Sequence, residues 1–86
     1  MYVILVYDID VSRVNRINKY LKRYLLWIQN SVFEGELNDE LYNKMLNGLK
    51  KLIKDNDSII IYKLKNKTVY EKDILGIEKS SMDNII

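Results

Sequence analysis

Two segments of the chain, residues 2–9 and 57–64, carry long runs of apolar residues that predict β-strands. The first reads YVILVYDI and is apolar at both odd and even positions until Asp8, and the second reads DSIIIYKL. Because neighbouring side chains of a strand point to opposite faces, this pattern predicts strands near the centre of a sheet, buried on both sides. A polar KNK turn then leads to a weaker strand, from Thr68 to about Ile77.

Two other segments repeat their apolar residues at the spacing of an amphipathic helix. The first follows Asp10 and Ser12, either of which can cap it, and its apolar stripe is Val14, Ile17, Leu21, Leu25 and Ile28. Asn38 is predicted to cap the second, whose stripe is Leu41, Met45, Leu49, Leu52 and Ile53. Gly48 lies beside that stripe and weakens a helix, which suggests that the helix approaches a sheet closely there.

The segment WIQNSVFEGEL lies between the predicted helices. Its length allows two short strands that reverse around Asn30 and Ser31, or one strand bulged at Gly35, and we favour two strands. The resulting order β-α-β-β-α-β predicts an α+β fold, the ferredoxin-like split βαβ arrangement, followed by a C-terminal strand. We expect one domain over residues 1–78 and a tail over residues 79–86.

The predicted sheet has more apolar surface than two helices can cover, because its central strands are apolar on both faces. An uncovered apolar face on a small domain normally marks an interface, so the sequence predicts a homodimer with the two sheets face to face. Ile74, Leu75 and Ile77 are expected to pair with a sheet edge, that of the partner protomer, because such a sheet leaves edges unpaired.

The composition restricts the chemistry, because the chain contains neither Cys nor His. Disulfides, thiol nucleophiles, imidazole catalysis and ordinary zinc sites are therefore excluded. A cation held by carboxylates, chemistry by Tyr or Lys, or binding alone remain. No apolar run reaches the roughly 18 residues of a membrane span, and no signal segment opens the chain, so we expect a cytoplasmic protein without a membrane partner.

The positive charge is concentrated in the first helix, although the net charge is only +2. Residues 11–25 contain five basic residues and no acid. Such a run is either a solvated helix face or a surface that contacts the phosphates of a nucleic acid.

These elements together resemble the CRISPR-associated protein 2 family over residues 1 to about 78. The resemblance rests on the strand that ends in Tyr7-Asp8, the basic helix, the Gln-x-Ser-Val-Phe core within QNSVFEGEL, and the later DSIIIYKL. It implies a ferredoxin-like homodimer that binds DNA and bridges the CRISPR integrase subunits during spacer acquisition. It also implies a metal-dependent endonuclease that acts mostly on single-stranded RNA. One position departs from the pattern, because Trp27 stands where many members carry Arg.

By resemblance, Asp8 matches the aspartate that binds Mg²⁺ between protomers, and it is the predicted catalytic residue and metal ligand. Asp10 is the competing carboxylate, but its position before the helix favours a capping role. Five further residues are predicted to contact nucleic acid: Arg13, Arg16, Lys19, Ser31 and Phe33. Without the resemblance, Asp8 would be interpreted as a turn residue or a helix cap, and a core or interface position is the alternative for Phe33. The alternative function is a ferredoxin-like RNA-binding or toxin-type nuclease domain outside CRISPR immunity.

Overall fold

The computed structural model describes residues 1–65 and 70–77, which form five strands and two helices. The elements are β1 (Tyr2–Asp8), α1 (Val11–Leu21), β2 (Leu26–Gln29), β3 (Val32–Glu36), α2 (Asp39–Leu52), β4 (Ser58–Leu64) and β5 (Tyr70–Gly76). The strands form one antiparallel sheet in the order β2-β3-β1-β4-β5. The first four strands have the ferredoxin-like order, which confirms the predicted fold. The predicted tail, residues 79–86, lies outside the described residues.

The core lies between the two helices and one face of the sheet. Along β1, Val3, Leu5 and Tyr7 are buried and point toward the helices, whereas the residues between them are half-buried. The rest of the core is contributed mainly by β3, β4 and both helices, through Ile17, Leu21, Leu25, Phe33, Leu37, Tyr42, Met45, Leu49, Ile59 and Ile61. Among residues 1–65 and 70–77, no helix covers the opposite face of the sheet, as the two-sided apolar strands predicted. Neither helix in the described ranges has the length and hydrophobicity needed to cross a membrane.

Helix α1 begins at its predicted cap and ends earlier than its apolar stripe suggested. The carboxylate of Asp10 accepts a hydrogen bond of 3.0 Å from the backbone N–H of Ser12, which confirms the capping role. The predicted extension of the helix to Ile28 is wrong, because the chain leaves the helix after Leu21. Leu25 still reaches the core from the turn that follows, and Ile28 lies in β2.

Strands β2 and β3 form the predicted hairpin with its reversal at Asn30 and Ser31. Asn30 adopts a left-handed backbone with φ of 44°, a conformation that asparagine tolerates better than most residues. A register shift lies between Trp27 and Gln29, so the irregularity falls in β2 and not at Gly35.

Helix α2 is capped by Asn38, whose side chain accepts a 2.8 Å hydrogen bond from the N–H of Leu41, as predicted. The close approach at Gly48 is made by α1 and not by the sheet. The Tyr20 hydroxyl lies against Gly48, where an added Cβ would overlap it, and it donates a 3.1 Å hydrogen bond to the carbonyl of Met45. The glycine therefore makes room for a tyrosine that joins the two helices.

Strand β5 pairs with β4 of the same chain, with Ile74 opposite Ile60. The prediction that it pairs with the sheet of a partner protomer is therefore wrong in this structure. The reason is geometric: β5 follows β4 after a short connection, and closing a short loop costs little entropy. At the end of β5, Gly76 has φ of 84°, and the N–H of Ile77 donates a 3.2 Å hydrogen bond to the carbonyl of Asp57.

Candidate functional site

A cleft lies at the end of the sheet where β1 stops and β4 begins. Asp8 is the last residue of β1 and is paired in register with Ser58, the first residue of β4. The β1–α1 and α2–β4 connections form the walls, and the cavity has a volume of about 560 Å³. Six of its lining residues are charged: Asp8, Asp10, Arg13, Lys54, Asp55 and Asp57. The topology therefore gathers four carboxylates and two cations from two separate segments of the sequence, residues 8–13 and 54–57.

Asp57 is the buried member of this cluster, and its carboxylate accepts four hydrogen bonds. Arg13 donates two, from Nε at 2.7 Å and from Nη2 at 2.8 Å. The backbone N–H of Asp10 donates at 3.1 Å and that of Lys54 at 2.8 Å. The Arg13 guanidinium and the two N–H groups hold the pKa of the Asp57 carboxyl far below its usual range, against the opposing effect of burial. This carboxylate is therefore ionised, and its two oxygens accept all four hydrogen bonds from groups within the protein.

Asp10 is also committed to internal contacts. Its carboxylate accepts from both the hydroxyl and the backbone N–H of Ser12. These two bonds lower the pKa of the Asp10 carboxyl. Both bonds are accepted by Oδ2, which caps α1, so Asp10 has the structural role that its position before the helix predicted.

Asp8 occupies an exposed position at the mouth of the cleft. Across residues 1–65 and 70–77, no three His, Cys, Asp or Glu side chains form a group that could hold a metal ion. A closed cage of protein ligands is thus absent from the described part of a single chain. Mg²⁺ commonly takes only one or two carboxylates and completes its shell with water and phosphate oxygens. Asp8 fits one such ligand position.

Exposed cations of α1 and of the turn that follows it form a second surface. Arg16, Lys19 and Arg23 line a groove of about 210 Å³ whose floor includes Tyr20 and Leu52. The guanidinium of Arg23 lies 5.6 Å from the centre of the Tyr20 ring. The described part of the chain records no ion pair for the three cations, in contrast to Arg13. Their charge is available to an external anion.

The remaining predicted contacts, Ser31 and Phe33, fall in different environments. Phe33 is fully buried, and its ring packs 6.2 Å from that of Tyr7, so it presents no surface to a nucleic acid. The predicted contact through Phe33 is therefore corrected to a core role, because β3 turns this side chain toward the helices. Ser31 is half-buried in the hairpin turn, and its carbonyl accepts a 3.1 Å hydrogen bond from the N–H of Tyr7.

The sequence analysis missed Asp57 as a site residue and interpreted it only as the start of a strand. The available signal was an acid directly ahead of a run that is apolar on both faces. An acid at the edge of a buried run needs a partner inside the protein. That partner is Arg13, which the sequence placed on the exposed face of α1.

A different polar cluster lies outside the cleft, around the middle of β5, where Asp73 is paired in register with Ile61. The hydroxyl of Tyr42 donates a 2.6 Å hydrogen bond to Asp73, which also pairs with Lys63 at 2.8 Å. The Lys63 amine lies 5.0 Å from the centre of the Tyr42 ring. Burial and the neighbouring Asp73 raise the pKa of Tyr42 well above its usual value, so its hydroxyl remains a donor.

Comparison with known proteins gives one family and several full-length relatives. The family model described as CRISPR associated protein Cas2 matches residues 1–72. The chain is 47% identical over 87 aligned positions to the CRISPR-associated endoribonuclease Cas2 of Pyrococcus furiosus, covering 100% of both chains. It is 46% identical over 87 positions to the protein of the same name from Methanocaldococcus jannaschii, covering 100% of this chain and 76% of the relative.

Solved structures agree with these relatives. A chain described as "Crystal structure of cas2" shares 46% identity with a TM-score of 0.75, covering 100% of this chain and 98% of that chain. The hypothetical protein TT1823 from Thermus thermophilus shares 27% identity with a TM-score of 0.70, covering 88% of this chain and 90% of that one.

Proposed function

The chain belongs to the CRISPR associated protein Cas2 family, and from this premise we propose that it acts in CRISPR adaptation as an endoribonuclease whose catalytic carboxylate is Asp8. The observation that carries the proposal is the position of Asp8, exposed at the mouth of a cleft beside the basic helix α1. The names of the relatives support RNA as the substrate.

The role of Asp8 is to hold a divalent cation, Mg²⁺, at the cleft mouth. A Mg²⁺ ion held there by Asp8 would polarise a bound water and the phosphate oxygens of the substrate, chemistry that a chain without His cannot obtain from an imidazole. Asp8 fixes the position of that site on a rigid strand, because β1 is paired with β3 on one side and β4 on the other. Asp10 and Asp57 keep the surrounding loops in place.

A homodimer would complete the metal site with a second Asp8. The sheet face that carries no helix has a row of half-buried apolar residues, among them Ile4, Val6, Ile60 and Tyr62. Pairing two such faces about a two-fold axis would remove this surface from water. Because Asp8 lies on the same side of β1 as Ile4 and Val6, the pairing would bring the two carboxylates toward each other. Two carboxylates are enough for Mg²⁺.

Nucleic acid would be held through its phosphates by the exposed cations of α1. Arg16 and Lys19 are exposed and make no ion pair within the described residues, which supports this role. Arg13 stays a predicted contact, although its guanidinium is already engaged by Asp57. Ser31, in the β2–β3 turn, remains a predicted contact as well. Binding through phosphates makes affinity insensitive to sequence and sensitive to salt.

A second candidate function is architectural, as a dimer that holds DNA and bridges integrase subunits. The observation that favours it is the separation of the two surfaces. The cations of α1 lie in the helix layer, whereas the apolar face that would form the dimer lies on the other side of the sheet. Such a dimer would present basic surfaces outward on both sides, where a duplex can lie without entering the cleft.

The test of the nuclease compares Asp8→Asn with Asp55→Asn, since both carboxylates line the same cleft and both are exposed. We expect Asp8→Asn to abolish Mg²⁺-dependent cleavage of single-stranded RNA while the protein stays folded, and Asp55→Asn to cleave as the wild type does. Cleavage that survives Asp8→Asn would rule out the proposed active site. Binding of duplex DNA by a protein that cleaves nothing would favour the architectural function.

The test of the binding surface compares single charge removals. Arg16→Gln and Lys19→Gln should each reduce the slope of log affinity against log salt by about one unit. Lys65→Gln, at the far end of β4, is the matched control and should leave the slope unchanged. Equal slopes in all variants would contradict the assignment of α1 as the nucleic-acid surface.

A further inference from the structure

Asp57 connects four parts of the fold at the end of the sheet where Asp8 lies. Its carboxylate binds α1 through Arg13, the β1–α1 connection through the N–H of Asp10, and the α2–β4 connection through the N–H of Lys54. Its own carbonyl accepts from the N–H of Ile77, directly after β5. The side chain is only 1% exposed, so water does not compete for these bonds.

The contact between Asp57 and the N–H of Asp10 fixes the chain just beyond Asp8. On the other side, Asp8 is paired in register with Ser58, the neighbour of Asp57 in sequence. The backbone that carries the Asp8 side chain is therefore held at two points, by the β1–β4 pairing before it and by the bond from Asp10 to the Asp57 carboxylate after it. A loop without these bonds would be free to move the carboxylate at an exposed edge.

We propose that Asp57 is a positioning residue, which holds the β1–α1 connection so that the Asp8 carboxylate stays where it can bind a divalent cation. Arg13 supplies the charge that makes a buried carboxylate stable, and its planar guanidinium fixes the two Asp57 oxygens in one orientation. This inference rests on the proposed function, because it concerns the geometry of the metal ligand. It assigns to Arg13 an internal role in the site, beside its predicted contact with nucleic acid.

The replacement Asp57→Asn tests the proposal, because it keeps the size of the side chain and turns one acceptor into a donor. An amide cannot accept all four bonds, since its NH₂ group faces donors. The matched control is Asp73→Asn, which breaks a carboxylate ion pair with Lys63 in the middle of β5, outside the cleft that Asp8 lines. If a general loss of stability caused the effect, both variants would show it. A positioning effect on Asp8 would appear in Asp57→Asn only.

Two readouts separate positioning from stability, both taken well below the unfolding temperature of each variant. The first is the broadening of the Asp8 and Ile9 amide resonances by Mn²⁺, which gives the affinity for a divalent cation without any cleavage. The second is the rate of RNA cleavage at saturating RNA. In Asp57→Asn we expect both to fall by about tenfold or more, as for other residues that orient a metal ligand, with KM for RNA unchanged. Asp73→Asn should match the wild type in both.

Arg13→Lys provides a milder variant in case Asp57→Asn does not fold. It keeps the charge but loses the paired geometry, so we expect a smaller fall in Mn²⁺ affinity in the same direction. Mn²⁺ affinity at the wild-type value in Arg13→Lys or Asp57→Asn, or an equal fall in Asp73→Asn, would overturn the proposal. A wild-type protein that binds no Mn²⁺ near Asp8 would overturn it too. A wild type that binds Mn²⁺ but cleaves no RNA would refute only the proposed nuclease.

Discussion

Asp57 directly precedes β4 at one end of the sheet and Asp73 lies in the middle of β5, and these two ion-paired carboxylates hold the protein together in different ways. The Asp57 side chain is 1% exposed and the Asp73 side chain 37%. Two of the four donors to Asp57 are backbone N–H groups of connecting loops, whereas Asp73 binds two side chains, those of Tyr42 and Lys63. The first carboxylate sets the path of the chain, and the second attaches β5 to its neighbours. Loop geometry is thus fixed where the candidate site lies.

The largest expected effect is on stability when each carboxylate is truncated. Asp57→Ala leaves the Arg13 charge and two N–H groups without their acceptor, which should cost about 3 kcal/mol or more of unfolding free energy. Asp73→Ala removes a partly exposed pair and should cost only about 1 kcal/mol. Urea unfolding of both variants at one protein concentration measures the difference. Equal losses would mean that burial does not distinguish the two carboxylates.

The backbone beside Asp57 allows a second comparison, between two glycines. Gly76 has φ of 84°, and an added Cβ would overlap the carbonyl of Asp57. Gly76→Ala should therefore cost about 1–3 kcal/mol. In Gly35→Ala the new Cβ would meet Leu25 Cδ2 at 3.2 Å, which a small side-chain movement relieves, so the cost should be lower. Thermal unfolding of the two variants ranks them, and the reverse order would refute this account of Gly76.

Acid unfolding should also distinguish the two carboxylates. Hydrogen bonds lower the pKa of both Asp57 and Asp73, and more strongly for Asp57. A carboxylate with a depressed pKa in the folded state stabilises the protein above the unfolded pKa of 3.8, and this contribution is lost as the pH falls further. Stability should therefore drop less steeply below pH 4 in Asp57→Asn than in wild type, with a smaller change in Asp73→Asn. Titration of unfolding free energy against pH tests this, and parallel curves would contradict it.

The smallest expected effect concerns Tyr42, which binds Asp73 from helix α2. Tyr42→Phe removes the 2.6 Å hydrogen bond to Asp73 but keeps the ring in the core, so it should cost about 1 kcal/mol. Combining it with Asp73→Asn should cost less than the sum, because both changes remove the same bond. Full additivity in urea unfolding would show that the bond contributes nothing to stability.

Local signals in the sequence were sufficient for the elements and their order. The caps Asp10 and Asn38 and the reversal at Asn30 are set by hydrogen bonds within a few residues, so they could be predicted. The end of α1 could not be predicted, because the periodic apolar pattern of the helix continues through a turn into β2. Strand β5 could pair with a sheet edge of its own chain or with that of a partner protomer. No local pattern in the sequence decides between these two edges.

The candidate site was only half visible in the sequence. Asp8 was found because it ends an apolar strand in a recognisable order of elements. Asp57 lies 44 positions from Arg13, and only the folded topology brings them together. Phe33 was assigned to nucleic acid by resemblance, and its burial shows that a position can matter to a family through packing. A sequence motif alone does not distinguish a residue that binds nucleic acid from one that packs in the core.

The fit of Tyr20 over Gly48 has a consequence for how this chain can diverge. The hydroxyl occupies the space that a side chain at position 48 would need, so the two positions share one volume. A change at either position alone is penalised, by overlap in one case and by a gap between the helices in the other. Among homologues, we expect a larger residue at 48 to occur together with a shorter one at 20. Such paired substitution would make the helix contact traceable in sequences alone.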